Sequence, residues 1–276
     1  MISLKDHLDF PDTIELIILV GLFDELLNFG NFSLCVLEDT NSLLPIIKSN
    51  KEIIIKHVID NADCIDMVAS SLIRYLVESN NVKLLDYFVN KYHLGLELQD
   101  KGRRPIHFAC LNNGTEEMIK YLVNKGVDLE AEDNLMTKPI HLACVYGTIE
   151  MVEILVNKGV DLEAQDDLGL NAIHFACRHG TQKMIDFLVS KGANLESRIV
   201  YGVNKGWKPI HIVCFYGTYE TIKNFLFRNI DLCSNIKKFN GNDIDYGIKK
   251  LVSLNDTLTL EQQQELIEII NKKIEI

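Results

Sequence analysis

The sequence predicts an all-α solenoid of helix-turn-helix units with short β-hairpin loops. Three observations predict it. The block Pro105-Ile106-His107-Phe108-Ala109-Cys110 returns as Pro139-Ile140-His141-Leu142-Ala143-Cys144, as Ala172-Ile173-His174-Phe175-Ala176-Cys177 and as Pro209-Ile210-His211-Ile212-Val213-Cys214, with the histidines 34, 33 and 37 residues apart. A Gly-Thr pair follows each block, at Gly114-Thr115, Gly147-Thr148, Gly180-Thr181 and Gly217-Thr218. The first three blocks then run through an apolar stretch into Lys-Gly and Leu-Glu. A fixed period of this length marks units that bury their apolar faces only on one another.

Residues 1–40 read as an N-terminal helical cap. Residues 41–99 read as two degenerate units, at about 41–66 and 68–99. Ser49-Asn50 and Ser79-Asn80 place Asn where later units have Gly before the second helix, and Asn tolerates a left-handed turn. Residues 100–235 hold four clear units. Proline at the first helical position starts each first helix except that of Ala172, because it has no N–H to satisfy. Glycine then frees the backbone to turn. A second helix follows, as in Met151–Asn157, whose Met151, Val152, Leu155 and Val156 form one stripe. Lys158-Gly159 ends it. Val160–Asp166 alternates apolar and polar residues, so it is extended and leads into a turn. Residues 236–276 read as a C-terminal capping segment. Its helix Leu260–Lys273 opens on Thr259-x-x-Gln262, a capping-box pattern. The whole is expected to be a single elongated solenoid.

Composition narrows the function. Lys plus Arg is 28 and Asp plus Glu is 39, a net charge of −11 over 276 residues. Such a chain is a poor general ligand for nucleic acid, whose binding rests on neutralising many phosphates. Seven cysteines are too few for a disulfide scaffold, and the number is odd. The apolar run Leu16–Phe23 is far short of a membrane span and lacks the basic flank of a secretory signal. The chain is therefore expected to be intracellular and cytoplasmic, with reduced thiols and no membrane partner.

The sharpest chemical pattern is His-x-x-Cys: His107/Cys110, His141/Cys144, His174/Cys177 and His211/Cys214. Residues i and i+3 share a helix face, so each pair could offer two metal ligands. Packed helices lie about 8–10 Å apart, so equivalent residues of neighbouring units cannot meet on one zinc. Four equivalent copies also argue against a Cys/His catalytic pair. No Gly-rich phosphate loop, Ser-nucleophile elbow or His-Glu-x-x-His pattern is present. No catalytic residue, metal or cofactor is expected. The recurring acidic residues of the hairpins, such as Asp128, Glu130, Glu132 and Asp133, read as solvated edge charges.

The unit resembles the ankyrin repeat, whose hallmark Thr-Pro-Leu-His followed by Ala is present here as Pro-Ile-His-x-Ala-Cys. The resemblance covers four units over about residues 101–235. It departs where the family's capping Thr is Arg104, Lys138, Asn171 or Lys208, of which only Asn171 is a good N-cap. The family's turn glycine matches at Gly169 and Gly206, is shifted at Gly102 and is Met136 in the second unit. The resemblance implies that the repeated His ties neighbouring hairpin loops together. It implies a non-enzymatic adaptor that binds another protein through hairpin tips and the concave face of the first helices. Carried over by position, the first-helix sites are Leu111/Asn112, Val145/Tyr146, Arg178/His179 and Phe215/Tyr216. The tips include Leu168 and Trp207. Val145 and Leu168 fit side packing between units equally well. The fourth hairpin, Ser197–Lys205, holds four extra residues including Tyr201, either a partner-touching finger or a tolerated insertion. The position that is a hydroxylated Asn in some family members is Glu97, Glu130, Glu163 or Glu196, so that modification is not expected. The acidic hairpins imply a partner with a basic surface, and the chain is expected to be a monomer. The Ile-, Asn- and Lys-rich style is similar to ankyrin proteins of amoeba-infecting giant DNA viruses, which implies a viral protein in the host cytoplasm. Phe10-Pro11-Asp12-Thr13-Ile14-Glu15-Leu16 is similar to the opening of an F-box, which implies a ubiquitin-ligase substrate receptor as an alternative. A structural virion component is another.

Overall fold

A computed structural model of the chain describes residues 65–111, 114–228 and 244–274. The expected cap over 1–40, the first degenerate unit up to residue 64, the Phe10–Leu16 segment, Asn112, and Cys35, Cys64 and Cys233 lie outside the described residues. The chain groups into two compact units, one ending at Asp128 and one starting at Leu129.

In the first unit, α1 (Ile65–Glu78), α2 (Val82–Tyr92), α3 (Pro105–Leu111) and α4 (Glu116–Asn124) form two helix pairs. Leu72, Ile73, Leu76, Leu84, Leu85, Phe88, Ile106, Met118, Ile119 and Leu122 make the core. Asn80 takes the left-handed conformation the sequence assigns to it, with φ 54°. Asn81 then caps α2 by accepting from the Leu84 N–H at 3.0 Å. Sequence reading misses Arg74, a buried cation on α1. It is ion-paired to Asp100 and, at 3.3 Å, to Glu78, with its guanidinium 3.9 Å from the Tyr75 ring centroid.

The second unit continues the pattern as α5 (Pro139–Tyr146), α6 (Ile149–Asn157), α7 (Ala172–His179), α8 (Gln182–Ser190), α9 (Pro209–Tyr216) and α10 (Tyr219–Leu226). α7 packs between α5 and α9, and each second helix packs on its own first helix. The Thr of every Gly-Thr pair caps a second helix: Thr148 accepts from Met151, Thr181 from Met184 and Thr218 from Thr221. The Lys-Gly stops behave as expected, with Gly159 and Gly192 at φ 85° and 92°.

Two expectations are corrected here. The glycines that end the first helices do not turn left-handed. Gly147, Gly180 and Gly217 have φ near −80° and extended ψ. They are glycines because a Cβ would sit 2.7, 2.7 and 2.5 Å from the carbonyl oxygens of Ala143, Ala176 and Val213. Asn171, the one good N-cap by residue type, does not cap. Its Nδ2 donates to Glu163 Oε2 at 2.8 Å, and its Oδ1 is buried without a hydrogen-bond partner. The first helices are capped from inside instead. The N–H of Arg104, Lys138, Asn171 and Lys208 each donates to Nδ1 of the histidine three residues on, at 3.2, 3.2, 3.2 and 2.9 Å.

The hairpin carboxylates are also more than solvated edge charges. Glu97, Glu130 and Glu163 each accept, at 2.8 Å, the backbone N–H 31 residues later, on Asp128, Asp161 and Asn194. Their second oxygens accept from Arg104 at 2.7 Å, Lys138 at 3.0 Å and Asn171 at 2.8 Å. Glu196 pairs likewise with the buried Lys208. The basic residue or Asn that replaces the family's Thr therefore belongs to a Glu-centred stitch. Asp133 is buried, and its Oδ1 accepts from Leu135 at 2.9 Å and Thr137 at 3.0 Å, which closes the turn.

Among the described residues there is no strand. The hairpins are tight turns closed by pairs of backbone bonds, such as Asp133 N–H to Thr137 O at 3.1 Å with Met136 N–H to Asp133 O at 2.9 Å, and Asp166 N–H to Leu170 O with Gly169 N–H to Asp166 O, both at 3.0 Å. Met136, Gly169 and Gly206 occupy equivalent left-handed positions, with φ 55°, 84° and 87°. The fourth hairpin folds onto the third: the N–H groups of Val200 and Tyr201 donate to Leu168 O at 3.1 and 2.9 Å.

The unit closes with α11 (Ile244–Ser253) on α9 and α12 (Leu260–Ile274) on α10. Thr259 and Gln262 form the expected capping box, exchanging bonds of 3.0 and 3.2 Å. Asn255 Nδ2 donates to the carbonyls of Cys214 and Gly217 at 3.2 and 2.8 Å, and Lys273 donates to those of Leu226 and Arg228. Carbonyls left open at and just past the ends of α9 and α10 thus gain partners from the closing segment.

Candidate functional site

The repeated histidines are framework. His141 and His174 are buried, as are His107 and His211. Nδ1 accepts from the helix-start N–H, so the ring proton is on Nε2. In His141 and His174 that Nε2 bonds the carbonyls of Ala164 at 2.9 Å and Ser197 at 3.2 Å, each 23 residues on, in the next hairpin. This is the loop-tying role the resemblance implies. Burial, the largest cause, pulls the pKa of His141, His174 and His211 down to about 4. They are neutral at pH 7, and neither nitrogen of His141 or His174 has a lone pair free for a metal. Cys110, Cys144, Cys177 and Cys214 are buried beside the small residue of each block. Burial pushes the Cys110 and Cys214 thiols up to about 12 and raises Cys177 too. A protonated, buried thiol is neither a nucleophile nor a metal ligand. Among the described residues no three His, Cys, Asp or Glu side chains gather into a metal-holding group.

The positions offered to a partner have a different character. Tyr146 is 52% exposed, Tyr216 39% and Tyr201 61%. Arg178, His179 and Leu168 are exposed, whereas Val145, Trp207 and Phe215 are half-buried. The fold brings four of them together. Trp207 meets Phe215 edge-on at 5.9 Å, Phe215 meets Tyr216 edge-on at 4.7 Å, and the Arg178 guanidinium lies 5.0 Å from the Tyr216 ring centroid. Trp207 also lies 6.3 Å from the His211 ring. It is therefore a packing residue over α9 as well as a tip residue. Replacing Trp207 by Ala is expected to cost about 2–3 kcal/mol of stability. Urea unfolding checks this, and an unmoved midpoint would show that the indole is only a surface group.

Sequence reading misses Met136 and Val203, exposed apolar tip residues beside Leu135, Leu168 and Tyr201. Met136 had a visible signal. An unbranched apolar side chain stands where the other units have a left-handed glycine, a costly placement without a tip role.

A family model for ankyrin repeats, comprising three copies, matches residues 67–166 and 140–236. A stretch of 47 residues, 17% of this chain, is 43% identical to SMC5-SMC6 complex localization factor protein 1 of Homo sapiens. The protein of the same name from Bos taurus is 40% identical over 47 residues. The matched stretch spans only 4% of the length of either relative. Among the described residues, no helix is long and apolar enough to cross a membrane.

Proposed function

The chain belongs to the ankyrin-repeat family, and from that premise we propose that it is a non-enzymatic adaptor that binds a polypeptide partner through the exposed side chains of its first helices and hairpin tips. Ankyrin repeats are in general protein–protein interaction modules. One observation carries the reading. At each unit's framework positions the same residues recur and their polar groups are satisfied internally, as with His141 and His174. At the adjoining positions, half-buried or exposed, the residues vary: Val145, Arg178 and Phe215 all differ, and His179 stands where the other two units have Tyr146 and Tyr216. Tyr and Arg are the residues enriched at binding hot spots. A face held by a hydrogen-bonded framework is ordered before the partner arrives, which lowers the entropic cost of association. The two relatives are, by name, localization factors for a protein complex, a role that suits such a module.

The test is a triple variant, Tyr146→Ala, Tyr201→Ala and Tyr216→Ala, compared with the parent chain in affinity purification and in a direct binding assay with the recovered partner. Affinity falls at least about tenfold while stability changes by less than about 1 kcal/mol, because the three rings lie on the surface and not in the core. Equal recovery of the partner by both chains would refute the proposal.

A further inference from the structure

The first-helix row of the second unit carries cationic and aromatic chemistry and no carboxylate. α5 contributes Val145 and Tyr146, α7 Arg178 and His179, and α9 Phe215 and Tyr216. Because α7 packs between α5 and α9, the three pairs stand in register on neighbouring helices. Arg178 is exposed, with its guanidinium carbon 5.0 Å from the centre of the Tyr216 ring, which is braced by Phe215. A cation–π contact partly immobilises a guanidinium without using its N–H donors. The ion pairs of the described residues engage Arg74, Arg104, Lys120, Lys125, Lys138, Lys208, Lys223 and Arg228, but not Arg178. Beside it, His179 is held below its ordinary pKa by partial burial and by the Arg178 charge, which adds a neutral donor to the row. The hairpin carboxylates that would have suited a basic partner are meanwhile committed to backbone amides and to framework side chains, as Glu130 and Glu163 show.

We propose that this row binds a partner segment bearing a carboxylate side chain between apolar ones, with the carboxylate on Arg178 and the apolar side chains against Tyr146 and the Tyr216–Phe215 edge. The inference rests on the interaction reading above and reverses the charge that net composition assigns to the partner. A fork of guanidinium donors meets a carboxylate with paired, charge-assisted bonds. A single cationic side chain, Arg178, in a chain of net charge −11 is too little positive charge to hold a phosphate backbone.

Panning a random dodecapeptide display library on the full chain tests this. Enriched peptides carry Asp or Glu flanked by apolar residues. A synthetic peptide of the enriched sequence loses about tenfold or more in affinity to Arg178→Glu. Changing its acidic residue to Lys restores binding to that variant. Enrichment of basic or uncharged peptides that lose binding in Tyr146→Ala/Tyr216→Ala but not in Arg178→Glu overturns the charge assignment and leaves the interaction reading standing. Peptides indifferent to all three substitutions, or no enrichment, overturn both. A single-stranded oligonucleotide that competes with the peptide through Arg178 would also overturn the polypeptide assignment.

Discussion

Lowering the pH from 7 to 5 is expected to remove about 6 kcal/mol of stability from the second unit. His141, His174 and His211 have folded pKa values near 4 against an ordinary 6.5. Between those values the unfolded chain binds three protons that the folded chain excludes, so stability falls as pH falls. The contribution is fully present above pH 6.5, fades through the window and is spent below pH 4. From pH 7 to pH 5 each histidine accounts for about 2 kcal/mol. Domains of this kind have total stabilities of about 5–15 kcal/mol, so the loss is large. Ordinary carboxylates titrate mostly below pH 5, so the comparison of pH 7 with pH 5 reports mainly on imidazoles. Urea midpoints at pH 7 and 5 measure the effect, and a midpoint that does not move contradicts it. His174→Gln removes the titrating group, so its share of the pH dependence disappears.

His141→Ala is expected to cost about 3–5 kcal/mol at pH 7. The imidazole accepts from Lys138 N–H, bonds Ala164 O and stacks on Phe175 with ring centroids 5.0 Å apart. Removing it leaves a donor and an acceptor unpaired and opens a cavity at a position with no solvent exposure. The intermediate variant His141→Asn separates the two bonds. Its Oδ1 can still accept from Lys138 N–H, but its side chain cannot reach Ala164. It is expected to recover part of the loss, and the amides of the 161–166 loop should still exchange faster than in the parent. Parent-like stability of His141→Ala would show that the histidine does not tie the loops.

The architecture was legible because the repeat forces the same physical problem to be solved four times. Each solution uses a residue with few substitutes: His for two bonds at once, Gly where a Cβ would strike a carbonyl. The stitches escaped because they join residues 31 apart, while side-chain patterns are read over one or two turns. Glu130 and Glu163 look like any exposed acid until Asp161 and Asn194 are placed above them. Lys138 and Lys208 looked like lost caps because their partners, Glu130 and Glu196, lie across the hairpin turn and not on the helix they precede. Arg74 was invisible because its partner Asp100 lies beyond the next helix. The exposed row was legible as a list of positions, from Tyr146 to Tyr216, but not as chemistry. Nothing in the spacing says that Arg178 lies on Tyr216, or that Trp207 packs on Phe215.

On the proposed reading, the framework of each repeat sets stability and the exposed row sets binding. These should separate cleanly, since exposed substitutions away from caps and core seldom change stability by more than about 0.5 kcal/mol.

The most direct measurement compares one variant of each kind, His174→Ala and the pair Tyr146→Ala/Tyr216→Ala, by urea unfolding and by titration with one bound ligand at a temperature where all are folded. The account predicts that the first lowers the unfolding midpoint and leaves the affinity within about twofold, and that the second keeps the midpoint and loses about tenfold or more in affinity. Tyrosine variants that bind as the parent does, or that bind weakly only because they are unfolded, would contradict it.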